Sequence, residues 1–161
     1  MSYSLLMKNR SLIIRIMVLL AIVWISALEP AHAAQGNNAV FVLVYHSFLG
    51  GKPYPSDISR TELTAELNAL RQKGFHFVSF TDLLSGKPAG TRNILVTIDD
   101  GNQSIYQAYK EVFNPLGIKP LLSIYPNIIG KKDYALTWDQ LKELAQGGCD
   151  IAAHGYYHFP L

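Results

Sequence analysis

Two adjacent carboxylates at the end of an apolar run are the first candidates for chemistry in this sequence. The run Asn93–Ile98 is followed directly by Asp99, Asp100 and Gly101. An apolar run of this length indicates a strand that is buried on both faces. Neighbouring like charges cost free energy unless a cation or a proton lies between them. Gly101 would allow a sharp turn, so that two side chains on opposite faces of the strand could reach one site.

Two histidines form a second motif near the other end of the chain. His154 and His158 follow the short apolar run Ile151–Ala153, which also predicts a strand. One carboxylate and two histidines are a suitable ligand set for a catalytic zinc or a similar divalent ion, with one position left open for water. The second carboxylate would then be free to act as a base. Each motif alone also occurs by chance, but their combination at two strand ends favours a metal centre.

Charge and cysteine content exclude some classes of protein. The chain has 161 residues, with 14 Lys+Arg and 12 Asp+Glu. The first 33 residues contain three of the bases and one of the acids, so the remainder carries 11 of each and is neutral. A nucleic-acid partner is therefore not indicated. Cys149 is the single cysteine, which excludes an intrachain disulfide, and it is predicted to be a small buried residue.

The N-terminal segment has the order of a secretory signal peptide. Basic residues precede the apolar run Ile16–Ile25, and a small-x-small cleavage site follows at residues 31–33. We therefore expect a signal peptide at residues 1–33, a domain at residues 34–161, and a secreted, periplasmic or cell-envelope location. The alternative is an uncleaved membrane anchor over residues 12–28.

Predicted strands and helices alternate along the rest of the chain. Besides the runs at the two motifs, strands are predicted at 39–45, 75–80 and 120–124, and helices at about 59–73, 81–85, 104–116 and 137–146. The first of these helices has a capping-box pattern from Ser59 to Glu62. This alternation argues for an α/β fold with parallel strands. Functional residues in such folds collect at the C-terminal ends of the strands.

Three further residues near these strand ends could serve the site. His46 follows the first predicted strand, and it could contact the metal ligands or the substrate, or be a hydrogen-bonded structural histidine. Tyr156 and Tyr157 could line a sugar site, although aromatic residues beside a loop also serve in packing. His76 lies within a predicted strand between two phenylalanines, which indicates a structural role.

Three stretches of the sequence resemble motifs of the polysaccharide deacetylases, the NodB-type carbohydrate esterases of family 4. The resemblance is carried by Val44–His46, Thr97–Gly101 and His154–His158. The second stretch is similar to the T-F-D-D-G motif of the family, with Ile98 in place of phenylalanine. The third is similar to H-[S/T]-x-x-H, with Gly155 in place of a hydroxyl residue.

The resemblance implies an incomplete, distorted (β/α) barrel of the NodB type, with about five strand–helix units. It also implies metal-dependent removal of acetyl groups from an N-acetyl amino sugar or another acetylated glycan. Asp100, His154 and His158 would hold the metal, expected to be Zn²⁺, and Asp99 would be the general base. The partner would be an acetylated polysaccharide or oligosaccharide, with no membrane contact after signal cleavage.

Two departures from the family pattern limit these expectations. Gly155 removes a side chain that would brace the histidine loop. The later family motifs, which supply a histidine acid and an arginine, are not in this sequence. We therefore expect the N-terminal portion of a deacetylase domain, which a separate C-terminal chain could complete. The alternative is a truncated, non-catalytic remnant that binds metal or glycan. In either case residues 34–161 alone should release acetate at close to the background rate.

Overall fold

Five parallel strands form one sheet in the computed structural model, which describes residues 39–51, 56–87 and 90–159. The strands are β1 (Val40–Tyr45), β2 (His76–Val78), β3 (Asn93–Asp100), β4 (Leu121–Ile124) and β5 (Asp150–Ala153). The helices are α1 (Arg60–Gln72), α2 (Phe80–Leu84), α3 (Ser104–Ala108), which continues as a π-helical turn over Tyr109–Phe113, and α4 (Trp138–Gln146). None of the helices in these ranges is long and apolar enough to cross a membrane. The predicted signal peptide and the alternative anchor lie outside the described residues.

β3 is the central strand of this sheet. Residues 93–98 pair with β1, while residues 93–95 pair with β2 and residues 97–100 with β4 on the opposite side. β5 pairs with β4, so β1 and β5 end the strand order β1-β3-β4-β5 in the described part of the chain, and the short β2 pairs only with β3. The prediction of an α/β fold with parallel strands, arranged as an incomplete barrel, is confirmed.

Capping boxes begin three of the helices. In each box a hydroxyl side chain accepts a hydrogen bond from the backbone N–H three residues later, and the later side chain accepts one in return. The pairs are Ser59 with Glu62, Ser79 with Asp82, and Thr137 with Gln140. The second box also explains why the strand predicted at 75–80 is shorter. Ser79 caps α2, which begins at Phe80, so β2 ends at Val78.

Burial differs sharply between the centre and the edges of the sheet. All six residues of 93–98 are buried, as expected for a strand covered on both faces. Leu63 and Leu67 of α1 are fully buried in the same hydrophobic cluster. On the edge strand β1, by contrast, Val42 and Val44 are each 53% exposed. The two aspartates at the end of β3 are therefore supported by the best-packed element of the fold.

The helix predicted over 104–116 is interrupted. Its α-helical part ends at Ala108, and the next turn is π-helical, with the Asn114 N–H donating to the Tyr109 carbonyl at 2.8 Å. Pro115 has no N–H to continue the α-helical pattern, which accounts for an irregular last turn.

Two single-residue predictions have different outcomes. Cys149 is buried, as predicted, and burial raises the pKa of its thiol to about 12. His76 lies in β2, as predicted, but its side chain is exposed rather than packed in the core.

Candidate metal centre

The two carboxylates stand where the backbone of β3 turns. The sequence indicated a turn at Gly101, but the structure begins it one residue earlier, because Asp100 already has a φ of +74° and Gly101 follows at +94°. Positive φ is uncommon for a residue with a side chain, although aspartate tolerates it better than most. In the described part of the chain, Asp100 and His158 (φ +57°) are the non-glycine residues with this conformation.

The loop that follows β4 packs against this turn and hydrogen-bonds to its backbone. A Cβ atom on Gly101 would lie 3.0 Å from Ile129 Cδ1 and 3.3 Å from Ile124 Cδ1, so only a glycine fits there without displacement. The Leu136 N–H donates to the Gly101 carbonyl at 2.9 Å, and the Gln103 N–H donates to the Tyr134 carbonyl at 2.8 Å. The conformation of Asp100 is thus fixed by packing and by backbone hydrogen bonds.

The histidines lie on the short loop after β5. The His154 N–H donates to the Ile124 carbonyl at 2.9 Å, which ties the start of this loop to β4. The Asn127 N–H donates to the Tyr156 carbonyl at 3.4 Å. The rings of His154 and His158 lie 4.8 Å apart, and the side chain of His158 is 50% exposed.

Asp100 and the two histidines converge. The Oδ1 atom of Asp100 lies 3.3 Å from His158 Nε2 and 3.7 Å from His154 Nε2. One ligand atom from each residue lies within 4.8 Å of the others. Zn²⁺ bonds of about 2.0–2.2 Å in a tetrahedral site would separate ligand atoms by about 3.3–3.6 Å. The three predicted metal ligands therefore lie at distances that one ion could bridge with small adjustments.

The hydrogen bonding of Asp100 also fits a cation. Its Oδ1 atom is buried and has no hydrogen-bond donor. A buried carboxylate oxygen without a donor is costly unless a positive group is near it. The two imidazoles within reach could share an ion with it. The donor set and this unpartnered oxygen together match a divalent metal ion.

A cavity of about 410 Å³ opens beside this group. Its lining includes Asp100, His46, Tyr125 and Tyr134. His46 Nδ1 is a second buried polar atom without a hydrogen-bond partner, so two of the three such side-chain atoms in the described residues belong to residues that line the same cavity. The structure therefore places His46 and Asp100 in the lining of one cavity, and the role of His46 stays a prediction.

The loop that carries His46 is fixed by an aspartate. Asp57 accepts hydrogen bonds from the Ser47 hydroxyl at 2.5 Å and from the Leu49 N–H at 2.9 Å. Burial alone would raise the pKa of Asp57, but these bonds and others from the backbone of Gly50 and Gly51 hold it below its usual value. The ionised form of Asp57 is thus the one that this loop stabilises.

The remaining predicted residues are less directly connected. Asp99 is half-buried and lies opposite Ser123 of β4, and the cavity lining includes Asp100 but not Asp99. Tyr156 and Tyr157 are exposed and pack edge-to-face on each other, with ring centroids 4.6 Å apart. The role of Asp99 as a base and the roles of the two tyrosines in binding stay predictions.

Two tyrosines at the site were not singled out from the sequence. Tyr125 follows β4, and its ring stacks on His158 with centroids 5.0 Å apart and an interplanar angle of 15°. Burial raises the pKa of Tyr125, with further contributions from the charge and a hydrogen bond of Tyr134 and from the charge of Asp100. The position of Tyr125 directly after a predicted strand could have indicated that it lies at the site. Tyr134 lies in a long loop, and nothing in the sequence around it indicated a position at the site.

A family model for polysaccharide deacetylases matches residues 86–161, which include both the Asp-Asp-Gly and the histidine motifs. YxkH of Bacillus subtilis (strain 168), a curated protein named as a polysaccharide deacetylase, is similar, with 28% identity over 142 residues. That match covers 86% of this chain and 47% of YxkH, so the chain spans about half the length of this relative.

Solved structures have the same fold over the matched part of the chain. IcaB from Ammonifex degensii has a TM-score of 0.66 and 32% identity, and the match covers 73% of this chain and 53% of IcaB. A de-N-acetylase from Aggregatibacter actinomycetemcomitans has a TM-score of 0.65 and 22% identity, over 73% of this chain and 55% of that one. Both sequence motifs lie inside the matched region and the same sheet lies beneath them, so the chain is similar to the polysaccharide deacetylase family over residues 86–161.

Proposed function

We propose that this chain carries the metal centre and the catalytic base of a metal-dependent hydrolase that removes acetyl groups from a polysaccharide. One observation carries the proposal: Asp100, His154 and His158 converge around a buried carboxylate oxygen that has no hydrogen-bond donor. Similarity to the polysaccharide deacetylase family over residues 86–161 supports deacetylation as the reaction. It also supports an N-acetyl amino sugar or another acetylated glycan as the substrate.

The three converging residues would hold the ion. Two imidazole nitrogens and one carboxylate oxygen suit Zn²⁺ and leave a coordination position for water. When bound, the ion would acidify that water and polarise the acetyl carbonyl. The buried Oδ1 atom of Asp100 would then have the positive partner that it otherwise lacks.

Proton transfer would fall to two other side chains. In deacetylation of an amide, the water oxygen bonds to the acetyl carbon, the carbon–nitrogen bond breaks, acetate leaves, and the nitrogen gains a proton. Asp99, next to Asp100 on β3, would accept the proton of the attacking water. His46 lines the cavity with an unpartnered Nδ1 and would donate a proton to the leaving nitrogen.

Exposed aromatic rings would form the sugar-binding wall. Tyr134 lines the cavity and is 51% exposed, and Tyr156 and Tyr157 are exposed on the histidine loop. Aromatic rings with one polar edge suit a surface that a sugar ring covers while its hydroxyls stay hydrated. A glycan substrate agrees with export through the signal peptide proposed at residues 1–33. Mass spectrometry of secreted protein that begins at Ala34 would support that location.

Acetate release tests the reaction. We expect the purified chain to release acetate from an N-acetylglucosamine oligomer when Zn²⁺ is supplied, and to lose that activity with a chelator or with Asp99→Asn. The rate should be only slightly above background, because the outer edges of β1 and β5 are uncovered in the described part of the chain and leave the substrate groove unfinished. Acetate release that survives both the chelator and Asp99→Asn would contradict the proposal.

The second candidate is a domain that binds metal or glycan without turnover. It is favoured by the free outer edges of β1 and β5 in the described part, and by the 53% exposure of Val42 and Val44 on β1. Uncovered strands leave the substrate groove unfinished, and a separate C-terminal chain could cover them. Tight Zn²⁺ binding without zinc-dependent acetate release, even at high protein concentration, would favour this candidate.

A further inference from the structure

His158 is the proposed metal ligand that its surroundings hold least firmly. Its side chain is half exposed, its backbone has a positive φ, and it lies in a loop beyond the edge strand β5. The described contacts of its ring are the Asp100 carboxylate, the ring of His154 and the ring of Tyr125. Two of these partners are themselves proposed ligands. Tyr125 is therefore the contact that could orient the ring before a metal binds.

Tyr125 has the geometry of a support. It follows β4 directly, and the carbonyl of the preceding residue, Ile124, accepts the hydrogen bond from the His154 N–H. The end of β4 thus contacts both histidines, one through its backbone and the other through the next side chain. The Tyr125 and His158 rings are nearly parallel, at 15°, and their centroids are 5.0 Å apart. A parallel stack restricts rotation of the imidazole about its side-chain torsions.

We propose that Tyr125 is a positioning residue that holds the imidazole of His158 in its ligand orientation and so raises the affinity of the site for a divalent cation. The inference rests on the metal centre proposed above. Groups that orient a ligand without touching the metal commonly change metal affinity by about 10- to 100-fold. A ring held in place before binding loses less conformational freedom when the metal arrives.

The hydroxyl and the ring of Tyr125 can be separated by substitution. The stack requires only the ring, so Tyr125→Phe should keep the affinity within about threefold of wild type. Tyr125→Leu keeps apolar bulk but removes the flat ring, and it should weaken binding about 10-fold or more. Tyr106→Leu is a matched control, because Tyr106 is a half-buried tyrosine on α3 whose hydroxyl contacts Glu143 of α4 and Lys110 rather than the ligands.

The experiment is a titration of the metal-free chain with Co²⁺, followed by its visible absorption, with Zn²⁺ affinity obtained by competition. The same titrations are repeated in a His158→Ala background. There, Tyr125→Leu should have little further effect, because the residue that it positions is absent. A merely structural role would lower the melting temperature of Tyr125→Leu and would weaken binding equally in both backgrounds.

The possible outcomes separate the two proposals. If the wild-type chain binds no Co²⁺, both the metal centre and the role of Tyr125 are wrong. If wild type and Tyr125→Leu bind equally well, or if the loss is the same without His158, only the role of Tyr125 is wrong. Should Tyr125→Leu fail to fold, nuclear Overhauser contacts between the Tyr125 and His158 rings in the metal-free wild type decide the matter. Their absence would overturn the proposal.

Discussion

The two halves of the proposed ligand set are built very differently. Asp100 ends the central strand, which pairs with neighbours on both sides, and a loop packs over the turn that follows it. The histidines follow β5, which pairs only with β4 in the described residues, and residues 155–159 are exposed. The carboxylate half is therefore formed by the fold itself. The conformation of the histidine half depends on a few contacts and on the proposed metal ion.

This difference indicates how such a site is assembled. A ligand on a buried strand is already oriented when the domain folds, so the free energy of metal binding is not consumed in ordering it. A ligand on an exposed edge loop must be ordered at the moment of binding. We therefore expect substitutions in the carboxylate half to change the stability of the folded domain. Metal binding should mainly order the histidine half.

The largest effect should come from removing the charge of the fixed ligand. Asp100→Asn keeps the shape of the side chain but removes its negative charge, and metal binding requires a deprotonated carboxylate. We expect Co²⁺ affinity to fall by more than about 100-fold. This loss is larger than the one expected from removing a group that only orients a ligand. Asp99→Asn is the matched control and should bind Co²⁺ within about threefold of wild type. The reverse pattern in the same titration would mean that the two aspartates exchange roles.

Glycine substitutions compare the packing of the two halves directly. Gly101 and Gly155 both have positive φ, and an added side chain in that conformation costs about 1–2 kcal/mol. Gly155→Ala should cost only this conformational free energy, because the atom nearest to the added Cβ would be the backbone nitrogen of His158 at 3.9 Å. Gly101→Ala would also press on Ile129 at 3.0 Å, which adds about 1–3 kcal/mol. Equal decreases in the free energy of unfolding, measured by urea denaturation, would show that the two turns tolerate an added side chain equally well.

Hydrogen exchange should reveal where metal acts. At a Zn²⁺ concentration well above the dissociation constant, binding stabilises the metal-bound conformation by a free energy that rises with the logarithm of the ligand excess. We expect amides of residues 154–158 to exchange about 10-fold more slowly with Zn²⁺, while amides of residues 94–98 in β3 change little. Chelator should restore the original rates. Uniform slowing across the sheet would mean that the histidine loop is no more mobile than β3.

The smallest effect concerns the loop that carries His46. The pKa of Asp57 is lower in the folded chain than its ordinary 3.8, so its contribution to stability is complete above that value. The contribution is lost as pH falls through the lower, folded-state pKa. Asp57→Asn should therefore reduce the melting temperature by about 2–4 °C at neutral pH and by less in acid. Asp133→Asn, at an exposed position, is the control and should change neither value.

The sequence contained enough information to predict that the proposed ligands would converge, because parallel strands end at the same edge of a sheet. Asp100 and His154 are far apart in the chain, yet both follow apolar runs, and that rule brings them together. The conformation of Asp100 could not be predicted, since the turn depends on the packing of Ile129 against Gly101 and on the hydrogen bond from the Leu136 N–H to the Gly101 carbonyl. The position of Tyr125 over His158 likewise depends on how β4 and β5 pair.

The positive φ of Asp100 and His158 has a consequence for any mutant library made at these sites. If such a library were selected only for soluble folded protein, glycine and asparagine should be enriched at both positions, because they relieve the backbone at little cost. If the same library were selected for metal retention, aspartate and histidine should return in spite of that cost. The difference between the two enrichment profiles at each position would measure how much stability the fold loses by having the proposed ligand there.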